Sequence, residues 1–120
     1  MANPNIVNVT TIYGNTATLA VSTVTTNVVA NPTSSGQIYK VNALTIANIN
    51  TLSSAVNINV EYNNAGSNTY LARNVVVPAN SSLVVIGKDT AFYLLENTSV
   101  QLTAGSNSSL SALISYEQIS

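Results

Sequence analysis

Lys40, Glu61, Arg73, Lys88, Asp89, Glu96 and Glu117 are the whole charged set of a 120-residue chain that contains neither histidine nor cysteine. General acid–base chemistry needs a group whose pKa can be drawn toward the working pH, usually a histidine or a carboxylate held beside a second titratable group. No such pair is visible in the sequence. Zinc wants thiolate or imidazole ligands, which the chain does not have. Calcium would have to use Asp89, Glu96 and carbonyl oxygens, without the spaced acidic loop that makes a calcium site persuasive. Gly14, Gly36, Gly66, Gly87 and Gly105 stand singly, so no glycine-rich phosphate cradle is present, and all five read as turn residues. The expectation is a protein with no catalytic residue, no metal and no cofactor, and not an enzyme.

With so little chemistry available, the elements must be read for how they meet other surfaces. The chain is 46% hydrophobic and only 6% charged, with mean hydropathy +0.28, so its surface has to be wetted mainly by Asn, Ser and Thr. A formal net charge of −1 removes the electrostatic guard against self-association, and the apolar content exceeds what one small domain hides. An assembly subunit is expected. Three cations cannot neutralise a row of phosphates, which argues against nucleic acid. Nor does the chain carry a basic amphipathic helix, or an apolar run of about 18 residues, for a membrane. Met1-Ala2-Asn3-Pro4-Asn5 has no charged and apolar leader pattern, so synthesis in the cytoplasm without a signal peptide is expected.

Apolar residues alternate with polar ones at period two, and helical periodicity is missing, which predicts an all-β protein. The cleanest segment is Val56-Asn57-Ile58-Asn59-Val60-Glu61-Tyr62, with Val56, Ile58, Val60 and Tyr62 on one face and Asn57, Asn59 and Glu61 on the other. Residues 63–68 then read as a hairpin loop, and Thr69 to Val77 as the return strand, stopped by Pro78. Further strands are expected over 83–86, 91–96, 100–104 and 110–118. Ile38 to Ile49, with its nearly continuous apolar stretch Val41 to Ala47, is expected to be a central strand covered on both faces. This cadence is that of a single antiparallel β-sandwich, jelly-roll or immunoglobulin-like. Residues 1–14 read as an edge strand or an extended N-terminal arm, and 15–120 as the sandwich. An arm would pair its backbone with a neighbouring subunit, which makes Ile6, Val7 and Tyr13 candidate interface residues.

Along Asn5 to Gly14, Ser35 to Leu44, Val75 to Ile86 with Asp89-Thr90, Tyr93 to Glu96 and Ile114 to Ser120, the chain resembles a family of small virion structural proteins of tailed phages, marine cyanophages especially. The resemblance covers almost the whole length in order and contains no catalytic signature. It implies a virion component made in the host cytoplasm in many copies. Its expected partners are itself, as a homo-oligomer such as a trimer, and the major capsid protein. The leading expectation is a capsid decoration or cement protein. A neck or tail component, or a fibre or adhesin domain binding host glycan through loops 63–68 and 105–109, stands behind it. The chain departs from the family pattern at Asn50 to Ala55, where a glycine-bearing turn is expected.

The remaining conspicuous residues have ordinary readings beside the functional ones. Lys88-Asp89 in a turn serves solubility or touches a partner. Arg73, inside a strand, is an edge guard or an interface anchor. The six tyrosines read as half-buried strand residues more readily than as a sugar-binding platform.

Overall fold

A computed structural model describes residues 10–120. Among the described residues nine strands form two antiparallel sheets: β1 Ile12–Val21, β2 Thr26–Asn31, β3 Ile38–Asn48, β4 Val56–Asn64, β5 Ser67–Val77, β6 Ser82–Ile86, β7 Phe92–Leu94, β8 Thr98–Ala104 and β9 Leu110–Ile119. Sheet A has the order β1-β9-β3-β6, with β7 also on β3, and sheet B the order β2-β8-β4-β5. β6 pairs with residues 44–47 of β3 and β7 with residues 39–41, so the two act as one edge strand broken by the 3₁₀ turn Lys88–Thr90. Only the β4–β5 hairpin stays within a sheet while the other connections cross between sheets, apart from that interruption. This is the jelly-roll alternative, not the immunoglobulin-like one.

The period-two pattern is what fills the sandwich. Leu44, Ile46, Ile114 and Leu110 from sheet A meet Ile58, Val60, Val100 and Leu102 from sheet B, all fully buried. Tyr39 stacks on Tyr116 with ring centroids 5.3 Å apart, and Tyr62 meets Phe92 edge-on at 5.9 Å, so three of the tyrosines are packing residues. Burial, and secondarily the neighbouring Tyr116, push the Tyr39 phenol above its usual value of about 10.

Two buried asparagines tie the sheets together at opposite ends of β3. Asn31, the last residue of β2, donates from Nδ2 to the carbonyls of Gln37 (2.9 Å) and of Leu94 (3.0 Å) in the other sheet. Asn48, the last residue of β3, donates in the same manner to the carbonyls of Ser54 (2.9 Å) and of Val77 (3.0 Å), again crossing between sheets. Each amide thus satisfies a strand-end carbonyl that burial would otherwise leave bare, and holds a carbonyl of the adjoining loop.

Several expectations change. β3 is not covered on both faces: Ala43, Thr45 and Ala47 look outward and are half-buried, because these small residues read as apolar in sequence yet form the outer surface of sheet A. The loop expected over 63–68 shrinks to Ala65 and Gly66, at φ 52° and 96°, because Asn63 and Asn64 continue β4. Gly14 is no turn residue; it lies within β1 opposite Glu117. The turn after Asn48 forms without glycine, with Ser53 at φ 53° and the Asn50 side chain accepting from the Leu52 N–H at 2.7 Å. β1 runs continuously across the boundary drawn after residue 14 and pairs with β9 of its own chain, Tyr13 opposite Gln118. Ile6 and Val7 lie outside the described residues, as does most of the arm expected there.

Replacing Asn48 with alanine should cost about 1–3 kcal/mol in urea unfolding, since the buried Val77 carbonyl loses its donor. Ala65→Asn should raise stability by about 1 kcal/mol in the same measurement, because asparagine tolerates the left-handed conformation better than alanine. The raised Tyr39 value means that the fold favours the neutral phenol. That contribution is complete below about pH 10 and is lost as pH rises through the higher folded value. Tyr39→Phe should therefore flatten the alkaline fall in melting temperature.

Candidate functional site

Among the described residues no three carboxylates group in a way that could hold a metal ion. The charged residues instead occupy separate places. Lys40 and Glu117 stand directly opposite one another on β3 and β9. Glu61 lies on the outward side of sheet B, between Gln101 and Tyr70. Arg73 is exposed on β5 with its guanidinium 5.4 Å from the centre of the Tyr70 ring. Glu96 accepts the Gly36 N–H at 2.6 Å through Oε2, while its Oε1 is buried with no partner among the described residues. Lys88 and Asp89 sit in the 3₁₀ turn that breaks the outer edge of sheet A.

The outward faces of the two sheets differ in kind. On sheet A, residues that face one another across the strands share a side. They make the rows Thr18, Leu113, Thr45 and Val84, then Ala20, Ser111, Ala47 and Ser82. None is charged, and Leu113 and Val84 leave 46% and 63% of their surface in solvent. A shallow groove of about 410 Å³ runs here, floored by Thr18, Ala20, Thr45, Ala47, Ser111 and Leu113. On sheet B the corresponding row is Asn27, Gln101, Glu61 and Tyr70, followed by Ala30, Ser99, Asn63 and Asn68. This side is polar.

The sheet edges are also unequal. β5 carries register breaks, with Asn74 at φ 51° and its N–H held by the Asn59 side chain at 2.7 Å, next to the exposed Arg73. β2 is short, with a register break of its own and Pro32 after it. The β6–β7 edge is interrupted. β1 has none of these devices: its ten residues pair with β9 in unbroken register and include no charge and no proline. Bulges, charges and proline are how an edge resists addition of another strand, so among the described residues β1 is the edge without such a guard.

Of the residues singled out from sequence, Tyr13 and Arg73 therefore fall on different sheets, at the edge strands β1 and β5, and do not form one surface. The two loops considered for glycan binding also separate. Residues 65–66 adjoin Asn97 and residue 105 adjoins Asn57, at opposite ends of β4 and about 23 Å apart by strand rise. Their polar groups are used locally: Asn63 bonds Asn68 and accepts from Gly66, Ser106 bonds Ser109, and Asn107 accepts from the Thr23 N–H. The buried clamps Asn31 and Asn48 were not legible at all, because nothing in an Asn-rich sequence distinguishes a buried amide from one in a turn.

In comparisons with known proteins, no family model matches the chain and no curated protein matches it.

Proposed function

We propose that the protein is a structural subunit of a phage particle, a decoration or cement protein that adds to the outside of a preformed shell. The observation that carries this reading is the uncharged part of the outward face of sheet A, the two rows from Thr18 to Val84 and from Ala20 to Ser82, which border the edge of β1; Lys40 and Glu117 lie on the same face two rows beyond Leu113. These two rows of Ala, Thr, Ser, Leu and Val lose little on leaving water, because they hold no ion to desolvate, and they gain about 25 cal/mol for each Å² of apolar area covered. The open backbone of β1 adds directional hydrogen bonds to a neighbouring strand, which apolar contact alone does not supply. Resemblance to virion structural proteins supplies the partner: the shell protein for the face of sheet A, and a second copy for the β1 edge.

Binding of this kind strengthens a shell through many equivalent contacts and requires no reaction. A neck or tail role would use the same surfaces in a ring of few copies, and the particle decides between the two. Quantitative analysis of purified particles should find the protein at a copy number comparable with that of the shell protein, and a ring-sized count would move the assignment to neck or tail. Leu113→Asp and Val84→Asp should abolish sedimentation of the protein with particles. Both positions are exposed, so folding free energy should change by less than about 1 kcal/mol. Particle binding that survives both substitutions would remove the face of sheet A from the reading.

A further inference from the structure

The outward side of sheet B differs from the proposed docking face in chemistry and in what it leaves unused. A cleft of about 370 Å³ lies there, over β2, β8 and β4 and against the turns at Pro32-Thr33 and Asn97. Its volume lies within the range of small-molecule sites. Asn27, Asn63, Asn97, Gln101, Thr33 and Ser99 present amides and hydroxyls to it, while the apolar contribution is confined to Ala30 and Pro32.

Most of these polar groups are uncommitted. Asn27, Thr33, Asn97, Ser99 and Gln101 make no side-chain hydrogen bond with any described residue. Ser99 retains this state at only 7% exposure, and the neighbouring Glu61 does so at 8%. Neither is among the side-chain oxygens sealed from solvent, so both groups stay within reach of what enters from outside. A polar group that deep usually has a protein partner.

The cleft is also held in shape. Its floor is strand, and the wall at 32–37 is tied by the Asn31 clamp, by Ser35 donating to Asn31 Oδ1 at 2.5 Å and by the Glu96 carboxylate on the Gly36 N–H at 2.6 Å. Fixed donors and acceptors cost less to use than mobile ones.

We infer that this cleft binds a neutral oligosaccharide, with Asn27, Gln101, Ser99, Asn97 and Thr33 hydrogen-bonding its hydroxyl groups. An amide offers donors and an acceptor side by side, and a hydroxyl offers both at one atom, which is the pattern that neighbouring sugar hydroxyls match. No cation lines the cleft, so anionic sugars and phosphate backbones have no counter-charge there. A peptide would miss the apolar anchors that carry peptide binding. The row Asn27, Gln101, Glu61 and Tyr70 continues the polar surface across all four strands, about 14 Å, and ends outside the cleft at Tyr70, whose ring has Arg73 over one face. The site is on the other sheet from the proposed particle-docking face and does not depend on it.

The test screens the full chain against an array of neutral oligomers of glucose, mannose, galactose and N-acetylglucosamine, with sulfated oligomers for contrast. Neutral oligomers should bind, and backbone and side-chain amide resonances of Asn27, Asn97, Ser99 and Gln101 should shift on titration of the bound oligomer. Gln101→Ala and Asn27→Ala should each weaken binding about tenfold at unchanged melting temperature. Leu113→Asp should leave binding intact while particle attachment is lost. Failure of every neutral oligomer to bind at millimolar concentration overturns the inference. So does a preference for the sulfated set, a shift pattern centred on another surface, or full affinity in Gln101→Ala. Particle attachment that persists through any of these results leaves the structural role standing.

Discussion

The two buried carboxamides, Asn31 and Asn48, are the constraint on which the rest of the structure depends. A sandwich this small is held face to face by apolar contact, which has no direction and would tolerate sliding of one sheet over the other. The asparagines remove that freedom. Each ends a strand of one sheet and donates to a carbonyl in the other, with a second bond to the adjoining loop, and they do so at the two ends of the same central strand. The apolar interior then packs in one register. The outward rows inherit the order fixed inside, so Leu113 comes beside Val84 across Thr45 on one side of the molecule and Gln101 comes between Asn27 and Glu61 on the other.

Fixed in this way, the fold gives one sheet to each kind of surface. The outer side of sheet A carries small and apolar residues along the rows from Thr18 to Val84 and from Ala20 to Ser82, with Lys40 and Glu117 toward its other end, and borders an edge strand that has no charge, proline or register break. The outer side of sheet B is built from amides and hydroxyls, and its edge at β5 is protected by irregular backbone and by Arg73 over Tyr70. A chain with seven charged residues cannot segregate its faces by charge. It does so by the difference between Ala, Thr and Val on one hand and Asn, Gln and Ser on the other. A protein attached through one such face would turn the other to the medium.

Much of the strand pattern was legible in the sequence, since alternation such as that from Val56 to Tyr62 reports a half-buried strand directly. Where the reading failed, the cause was ambiguity of residue type. Ala43, Thr45 and Ala47 look apolar in a sequence and signalled a strand buried on both sides, but small side chains serve equally as a flat exterior. Gly14 signalled a turn and lies extended, and Asn63-Asn64 signalled a loop and continue a strand. The candidate surfaces were beyond the reach of a linear reading. Thr18, Thr45 and Val84 come from three strands, as do Asn27, Gln101 and Glu61, and only cross-strand register makes them neighbours. Their composition could be anticipated, but their adjacency could not.

The place of β9 has a consequence for timing. Sheet A is ordered β1-β9-β3, so among the described residues the sheet partner of β1 is contributed by residues 110–119, nearly a hundred positions further along the chain. During synthesis on the ribosome, sheet B can assemble once β8 has emerged, but β1 has nowhere to dock and the outer side of sheet A does not yet exist. A chain that stops before β9 therefore lacks the outer side of sheet A altogether. Only a finished polypeptide has the surface.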